Sequence, residues 1–313
     1  MHHEKRHMTR MAASALLLAL LIGTPAAGFA QGAHAGHSAS AQAPAAPVTA
    51  AVQLPARSGN DALPAGEEQA SEALQKSPRH GEWADIKVPG GQQTVRTWVV
   101  YPERKDKAPV VIVIQEIFGL TDWIRAVADQ LARDGFIALA PDLLSGKGPN
   151  GGNTDAFANR DAVVAAVRGL DPAEVTARLH AVREHGIKLP AANGKSATIG
   201  FCWGGGTSFA YATRQPALDA AVVYYGTSPD AASLASIKAP VLGLYGEDDA
   251  RVNATINPAE EEMKKLGKTY EHEIYPGAGH GFLRAQTGRD GANLRATEKG
   301  WPRTLEFLRA HTR

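Results

Sequence analysis

The stretch at residues 196–213, SATIGFCWGGGTSFAYAT, decides the fold of this 313-residue chain. An apolar run leads directly into Gly200-Phe201-Cys202-Trp203-Gly204, and a segment of helical character follows. Glycines two residues on either side of Cys202 permit the tight strand-to-helix turn that presents a nucleophile at the end of a strand. The first amides of the following helix favour a thiolate and a developing oxyanion. The stretch therefore predicts a reactive thiol in an α/β fold, although a lone cysteine can also be an inert core residue.

Apolar runs and helical segments alternate on both sides of this stretch. Continuous apolar runs of this kind are typical of strands that are buried on both faces. They are APVVIVI, FIALAPD, SATIGF, AAVVYYG and APVLGLYG. Helices are expected at 122–135, at 171–186 after an Asp171 cap, and at 257–267, and a hairpin is expected around Gly90-Gly91. The alternation predicts a mostly parallel central sheet flanked by helices on both faces.

Composition excludes several classes of protein. Hydrophobic residues make up 44% and charged residues 21% of the chain, which is ordinary globular usage. The formal net charge is +1, so we expect no nucleic-acid partner. A single cysteine excludes an intramolecular disulfide framework and multi-cysteine metal sites, and we expect no metal or organic cofactor.

The N-terminus has the three parts of a secretory signal peptide. Basic residues precede the apolar run MAASALLLALLIG, and small residues at 28 and 30 suggest cleavage near Ala30. An uncleaved membrane anchor is less consistent with the run, because a bilayer span needs about 20 residues. We therefore expect residues 1–30 to be removed and the protein to be periplasmic or secreted, with no membrane association after cleavage.

Residues 31–80 are rich in Ala, Pro, Gly, Ser and Gln. This composition has too few large apolar side chains to offset the entropy of ordering the chain. It predicts a linker, with a short helix possible in EEQASEALQK, ahead of one domain at 81–313.

An acid and a histidine follow the cysteine in the order that nucleophilic catalysis needs. The strand APVLGLYG ends at Glu247-Asp248-Asp249, and the strand TYEHEIYP precedes a glycine loop that contains His280. Because reactive groups lie past the carboxyl ends of parallel strands, these residues are expected near Cys202. We choose Asp249 as the acid, with Asp248 as the alternative.

These motifs give the chain a specific resemblance. Residues 81–313 resemble the dienelactone hydrolase family of α/β-hydrolases in the segments QEIFG, GFCWGG, GEDDARV and GHGF. The family pattern G-x-x-D-x-x-V places the triad acid on Asp249. The resemblance also implies a functional glutamate at Glu116, and an α/β-hydrolase fold.

The resemblance implies a covalent mechanism. A free thiol has a pKa of about 8.5, so an activating group is needed at neutral pH. In the family, the glutamate at the position of Glu116 helps to remove the thiol proton when substrate arrives. The resemblance implies that Cys202 attacks an ester or lactone carbonyl and that backbone amides of Ile117 and Trp203 hold the oxyanion. His280, oriented by Asp249, then protonates the leaving oxygen and activates water.

Substrate-binding residues are less closely specified. Arg284 occupies the position of a family arginine that grips the substrate carboxylate, a role that suits a planar guanidinium. A second arginine is assigned to Arg160, with Arg168 as the alternative, because residues 145–170 depart from the family pattern. Phe118 is a candidate apolar contact.

Three functions are consistent with these residues. The first is a cysteine-dependent hydrolase of small lactones or esters that carry a carboxylate, of the carboxymethylenebutenolidase type. The second acts on neutral esters or thioesters and does not depend on Arg284. The third is a thiol sensor or binding protein on the same fold. The family favours monomers, so we expect a monomer that acts on a small molecule.

Overall fold

The computed structural model describes residues 60–313. The predicted signal peptide and residues 31–59 of the predicted linker lie outside the described residues, so both stay predictions. Within the described part, eight strands form one sheet. They are β1 (Gly81–Lys87), β2 (Thr94–Val100), β3 (Ala108–Ile114), β4 (Ile137–Pro141), β5 (Ala192–Phe201), β6 (Ala220–Tyr224), β7 (Val241–Asp248) and β8 (Tyr270–Gly279).

The helices follow the strands in close alternation. Those described are α1 (Ala70–Gln75), α2 (Asp122–Arg133), α3 (Arg160–Arg168), α4 (Pro172–Ile187), α5 (Trp203–Ala212), α6 (Ala231–Leu234), α7 (Ala250–Asn253), α8 (Ile256–Lys265) and α9 (Ala292–His311). Short 3-10 turns lie at Glu67–Gln69, Pro149–Gly151, Thr154–Ala156 and Arg289–Gly291. The predicted Asp171 cap is present, since its side chain accepts from the amides of Ala173 and Glu174. None of these helices is both long and apolar enough to cross a bilayer.

The sheet has the order β1-β2-β4-β3-β5-β6-β7-β8. The predicted hairpin of β1 and β2 is antiparallel, β2 pairs antiparallel with β4, and the remaining pairs are parallel. Alternate residues of β3 enter different cores: Val111 and Val113 pack under α2 and α9, whereas Val110 and Ile112 pack under α4 and α5. The predicted α/β-hydrolase fold, with helices on both faces of a mostly parallel sheet, is confirmed.

The last part of the predicted linker differs from the expectation. Residues 60–80 pack on the domain, and Leu63 is 3% exposed. The indole of Trp123 donates to the Ala65 carbonyl oxygen (3.1 Å), and α1 lies against α2. Composition alone underestimated how ordered this segment is. A few apolar residues and main-chain hydrogen bonds are sufficient to hold it against the surface of the folded domain. The short helix expected in EEQASEALQK is present as the 3-10 turn at Glu67–Gln69 followed by α1.

Candidate active site

Cys202 lies at the turn between β5 and α5. Its backbone has φ 56° and ψ −116°, a conformation that is rare for a residue with a side chain, and its amide donates to the Tyr224 carbonyl oxygen (3.0 Å). The flanking glycines are required by close packing, because a Cβ on Gly200 would lie 1.9 Å from the carbonyl oxygen of Gly204. The turn therefore presents a partly exposed thiol at the carboxyl edge of the sheet.

His280 and Asp249 meet beside this thiol. His280 Nδ1 lies 2.5 Å from Asp249 Oδ2, and the thiol of Cys202 is close enough to the imidazole to raise its pKa. Asp249 occupies the position before α7 but makes no capping bond, so its side chain is committed to the histidine. The alternative acid, Asp248, instead pairs with Arg289. The structure thus brings Asp249 and His280 together beside Cys202. Along the chain the three follow in the order nucleophile, acid, histidine that the sequence analysis used.

The surroundings favour the protonated imidazole of His280. Burial opposes the charged ring, but hydrogen bonds with Asp249 and Cys202 outweigh it and raise the pKa of His280 to about 9. An imidazole with this preference stabilises a negatively charged partner next to it. The arrangement is suited to a thiolate–imidazolium pair.

Glu116 is a buried carboxyl in the loop after β3, 3% exposed. Its Oε2 lies 2.8 Å from Arg284 Nε, although this N–H is not aligned for a hydrogen bond with any described acceptor. Burial raises the pKa of Glu116 to about 7, and the positive charges of Arg284 and His280 only partly oppose that effect. The group can therefore exchange a proton near neutral pH.

A cavity of about 610 Å³ opens beside the thiol. Cys202, Ile117 and Trp203 share its wall, so the two residues predicted to supply oxyanion amides face the same space as the sulfur. The first amides of a helix have no acceptor within the helix, which leaves the Trp203 amide suited to bind an oxyanion. Other residues of α4 and α5, among them Val175 and Ala210, also line the cavity.

The predicted arginines occupy two different places. Arg284 and Arg160 both lie over the ring of Phe118, at 5.3 and 3.5 Å from its centroid. Arg168, at the end of α3, instead lines the cavity. The ring of Phe118 is therefore covered by guanidinium groups, which differs from the expected apolar contact. Glu67, which sequence reasoning did not single out, pairs with both Arg284 and Arg160.

Tyr225 is a second residue that sequence reasoning missed. It lines the cavity with Cys202, its ring centroid lies 5.1 Å from that of His280, and its buried hydroxyl has no hydrogen-bond partner among the described residues. Burial raises the pKa of Tyr225 well above 10, so the hydroxyl keeps its proton and can donate it to a bound molecule. Its position after β6 was a usable signal, because it follows a parallel strand at the same sheet edge as Cys202.

No group of three or more His, Cys, Asp or Glu side chains within residues 60–313 could hold a metal ion. The site can be described by its thiol, imidazole, carboxyls and arginines.

Comparison with known proteins places the chain in a family. The model of the dienelactone hydrolase family matches residues 95–312. A protein of Methylorubrum extorquens named "Putative carboxymethylenebutenolidase" is 32% identical over 244 residues, which are 72% of this chain and 80% of that protein. Carboxymethylenebutenolidase 1 of Cupriavidus pinatubonensis is 31% identical over 206 residues, 65% of this chain and 86% of that protein.

A solved structure agrees with these relatives. The crystal structure titled "Putative Dienelactone Hydrolase" from Klebsiella pneumoniae has a TM-score of 0.62 and 27% identity, and the match covers 73% of this chain and 98% of that one. The family predicted from four short motifs is confirmed by a match that extends over residues 95–312. The chain therefore belongs to the dienelactone hydrolase family.

Proposed function

We propose that the protein hydrolyses small esters or lactones through an acyl-enzyme on Cys202. The observation that carries the proposal is the contact between His280 Nδ1 and Asp249 Oδ2 at 2.5 Å, with the imidazole close enough to Cys202 for the thiol to raise its pKa. Relatives named as carboxymethylenebutenolidases support a lactone or a related ester as the substrate.

The proposed reaction has two halves. The sulfur of Cys202 attacks the carbonyl carbon, and the carbonyl oxygen becomes an oxyanion held by the amides of Trp203 and Ile117, each worth about 3–4 kcal/mol in comparable sites. The tetrahedral intermediate collapses when the carbon–oxygen bond breaks and His280 gives its proton to the leaving oxygen. Water then attacks the thioester while His280 takes its proton, which releases the acid and restores the thiol.

Glu116 has a proposed part in activating the thiol. Its pKa of about 7 allows it to accept a proton from its surroundings at neutral pH, and the charge contact with Arg284 holds it in the loop beside the cavity. The cavity shared by Cys202, Ile117 and Trp203 is the proposed acyl-binding space. Tyr225 is proposed to donate its hydroxyl proton in a hydrogen bond to the bound acyl group.

Cys202→Ala tests the mechanism. We expect turnover of 4-nitrophenyl acetate to fall by about 10³-fold or more, because the variant has no nucleophile. The exposed Ser236→Ala variant is the matched control and should keep wild-type turnover. An acyl mass adduct that forms on wild type and is missing from Cys202→Ala reports on Cys202, because the other nucleophilic side chains are present in both proteins. Wild-type turnover in a folded Cys202→Ala protein would refute the mechanism.

The alternative of a thiol sensor makes a different prediction for the same measurement. It expects no acyl adduct, and instead a reversible sulfenic acid or mixed disulfide at Cys202 on exposure to peroxide. Export also remains a proposal, which rests on the signal-like sequence of residues 1–30. N-terminal sequencing of protein from the periplasmic fraction should begin near Gln31, and an intact Met1 there would contradict cleavage.

A further inference from the structure

Glu67 belongs to the segment before the first strand, and hydrogen bonds hold that segment on the domain. The Glu67 amide donates to the Arg284 carbonyl oxygen (2.9 Å), and the Gln286 side chain donates to the Pro64 carbonyl oxygen (2.9 Å). Trp123 adds its bond to Ala65, two residues before Glu67. Three hydrogen bonds to the backbone of residues 64–67, together with the buried side chain of Leu63, therefore fix the backbone of Glu67 beside Arg284.

The carboxylate of Glu67 bridges the two arginines. Its Oε2 contacts Arg284 Nη1 as a short ion pair, and its Oε1 lies 3.5 Å from Arg160 Nη2. These are the two arginines that the sequence assigned to a substrate carboxylate. Arg284 also faces Glu116, so two guanidinium groups are balanced by two carboxyl groups within the chain itself.

We propose that Glu67 determines substrate specificity: it occupies the Arg160–Arg284 pair as an internal carboxylate, so the enzyme favours esters without a negative charge over esters that carry a carboxylate. The inference rests on the proposed ester hydrolysis at Cys202. The family model matches residues 95–312, so Glu67 lies outside the matched part of the chain.

The physical reason is competition between a tethered and a free carboxylate. A carboxylate attached to the same folded chain has an effective concentration near the arginines of millimolar or higher. A charged substrate must displace it before it can gain the charge-assisted hydrogen bonds that a guanidinium offers. Glu67 is 42% exposed, so the exchange is possible, but it raises the concentration of charged substrate that is needed.

Two matched esters test the inference. The substrates are 4-nitrophenyl hydrogen glutarate, whose acyl chain ends in a carboxylate, and 4-nitrophenyl methyl glutarate, in which the charge is masked. For Glu67→Gln we expect the ratio of kcat/KM for the charged ester to that for the neutral ester to rise about tenfold, mainly through a lower KM for the charged ester. The control is Glu68→Gln, a change at the next, exposed residue, and it should keep the wild-type ratio.

A second variant identifies the arginines as the cause. Adding Arg160→Gln to Glu67→Gln should return the ratio towards the wild-type value, since the second guanidinium is then missing. Free glutarate should inhibit Glu67→Gln at about tenfold lower concentration than wild type, which is a readout independent of ester turnover. A purely structural role for Glu67 would lower the melting temperature and turnover of both esters without changing their ratio.

The two proposals fail in different ways. An unchanged ratio and unchanged glutarate inhibition in Glu67→Gln, with turnover that still depends on Cys202, would overturn the specificity proposal and leave the hydrolase proposal intact. Turnover that persists in Cys202→Ala would overturn the mechanism itself, whatever the ratio.

Discussion

Glu116 combines deep burial with a charge contact to Arg284. Burial prevails, and the pKa rises from the ordinary value of 4.5 to about 7. A carboxyl group in this state binds a proton more readily in the folded protein than in the unfolded chain. Folding and protonation are therefore coupled, and the stabilisation from this group is present in full below pH 4.5 and is lost as the pH rises through 7.

Glu116→Gln should remove this pH dependence. We expect the free energy of unfolding of wild type, relative to that of the variant, to fall by on the order of 3 kcal/mol between about pH 4 and pH 8. Urea denaturation at several pH values measures the difference. The control Glu68→Gln changes an exposed carboxyl group and should parallel wild type. Parallel curves for wild type and Glu116→Gln would contradict the coupling.

The sequence predicted the location of single residues best where a reactive side chain directly follows a predicted strand. Cys202, Asp249 and His280 each follow a predicted strand, so their proximity could be inferred before any coordinates. Glu67 has no such signal, because nothing in the amino-acid pattern indicates where a segment outside the sheet will dock. Its pairing with Arg284 depends on hydrogen bonds between distant parts of the backbone.

The junction of β5 and α5 is the element on which the site depends. A Cβ on Gly204 would lie 2.2 Å from the Gln115 carbonyl oxygen, and one on Gly205 would lie 2.5 Å from the Tyr224 carbonyl oxygen. The start of α5 therefore packs directly against the ends of neighbouring strands. Because no side chain separates them, the helix amides come close to the space in front of the thiol.

Gly200→Ala should disrupt this junction. The new methyl group would overlap the Gly204 carbonyl oxygen, and we expect a loss of at least about 2 kcal/mol in the free energy of unfolding. Gly91→Ala is the matched control, since its nearest neighbour would be the Gln93 amide at 3.8 Å, and it should change stability by less than about 0.5 kcal/mol. Thermal or urea unfolding compares the two. Equal stability of the two variants would show that the close packing is not needed.

For helices and strands, the sequence predicted which elements form better than it predicted the residues at which they begin and end. The hydrophobic runs predicted β3 to β7, because strands buried on both faces need continuous apolar sequence. The parallel edge strand β8 has no such run, and most of its residues are at least partly exposed. The helix expected at 257–267 instead runs over Ile256–Lys265, and its first residue follows Thr255, which makes no side-chain cap. Without a capping bond, local sequence alone sets the start of a helix poorly.

Residues 60–313 contain two different environments around the candidate site. One is the cavity of about 610 Å³ beside the thiol, whose lining combines apolar side chains of α4 and α5 with Arg168, Arg214 and Arg251. The other is the group of paired charges formed by Glu67, Arg160 and Arg284. Sequence analysis anticipated the arginines but not the cavity, because its lining comes from α4, α5 and the segments after several different strands, which meet only after folding.

Ala210→Phe should narrow the cavity. We expect kcat/KM for 4-nitrophenyl octanoate to fall at least about tenfold, while that for the acetate ester changes by less than about threefold, because a short acyl group does not reach Ala210 near the end of α5. Ala232→Phe places the same side chain at an exposed position of α6 and is the control. Equal effects on both esters would indicate that the acyl group binds elsewhere.

The docking of residues 60–67 ahead of the first strand has an evolutionary consequence. The triad, the cavity and both arginines belong to the hydrolase domain, whereas the carboxylate that neutralises the arginines is carried by a short upstream stretch. Under the proposed role of Glu67, point changes or small deletions there would alter the preference for charged molecules and leave Cys202, His280 and Asp249 unchanged. Related enzymes would thus differ in substrate preference through a few residues that a comparison restricted to the shared domain does not include.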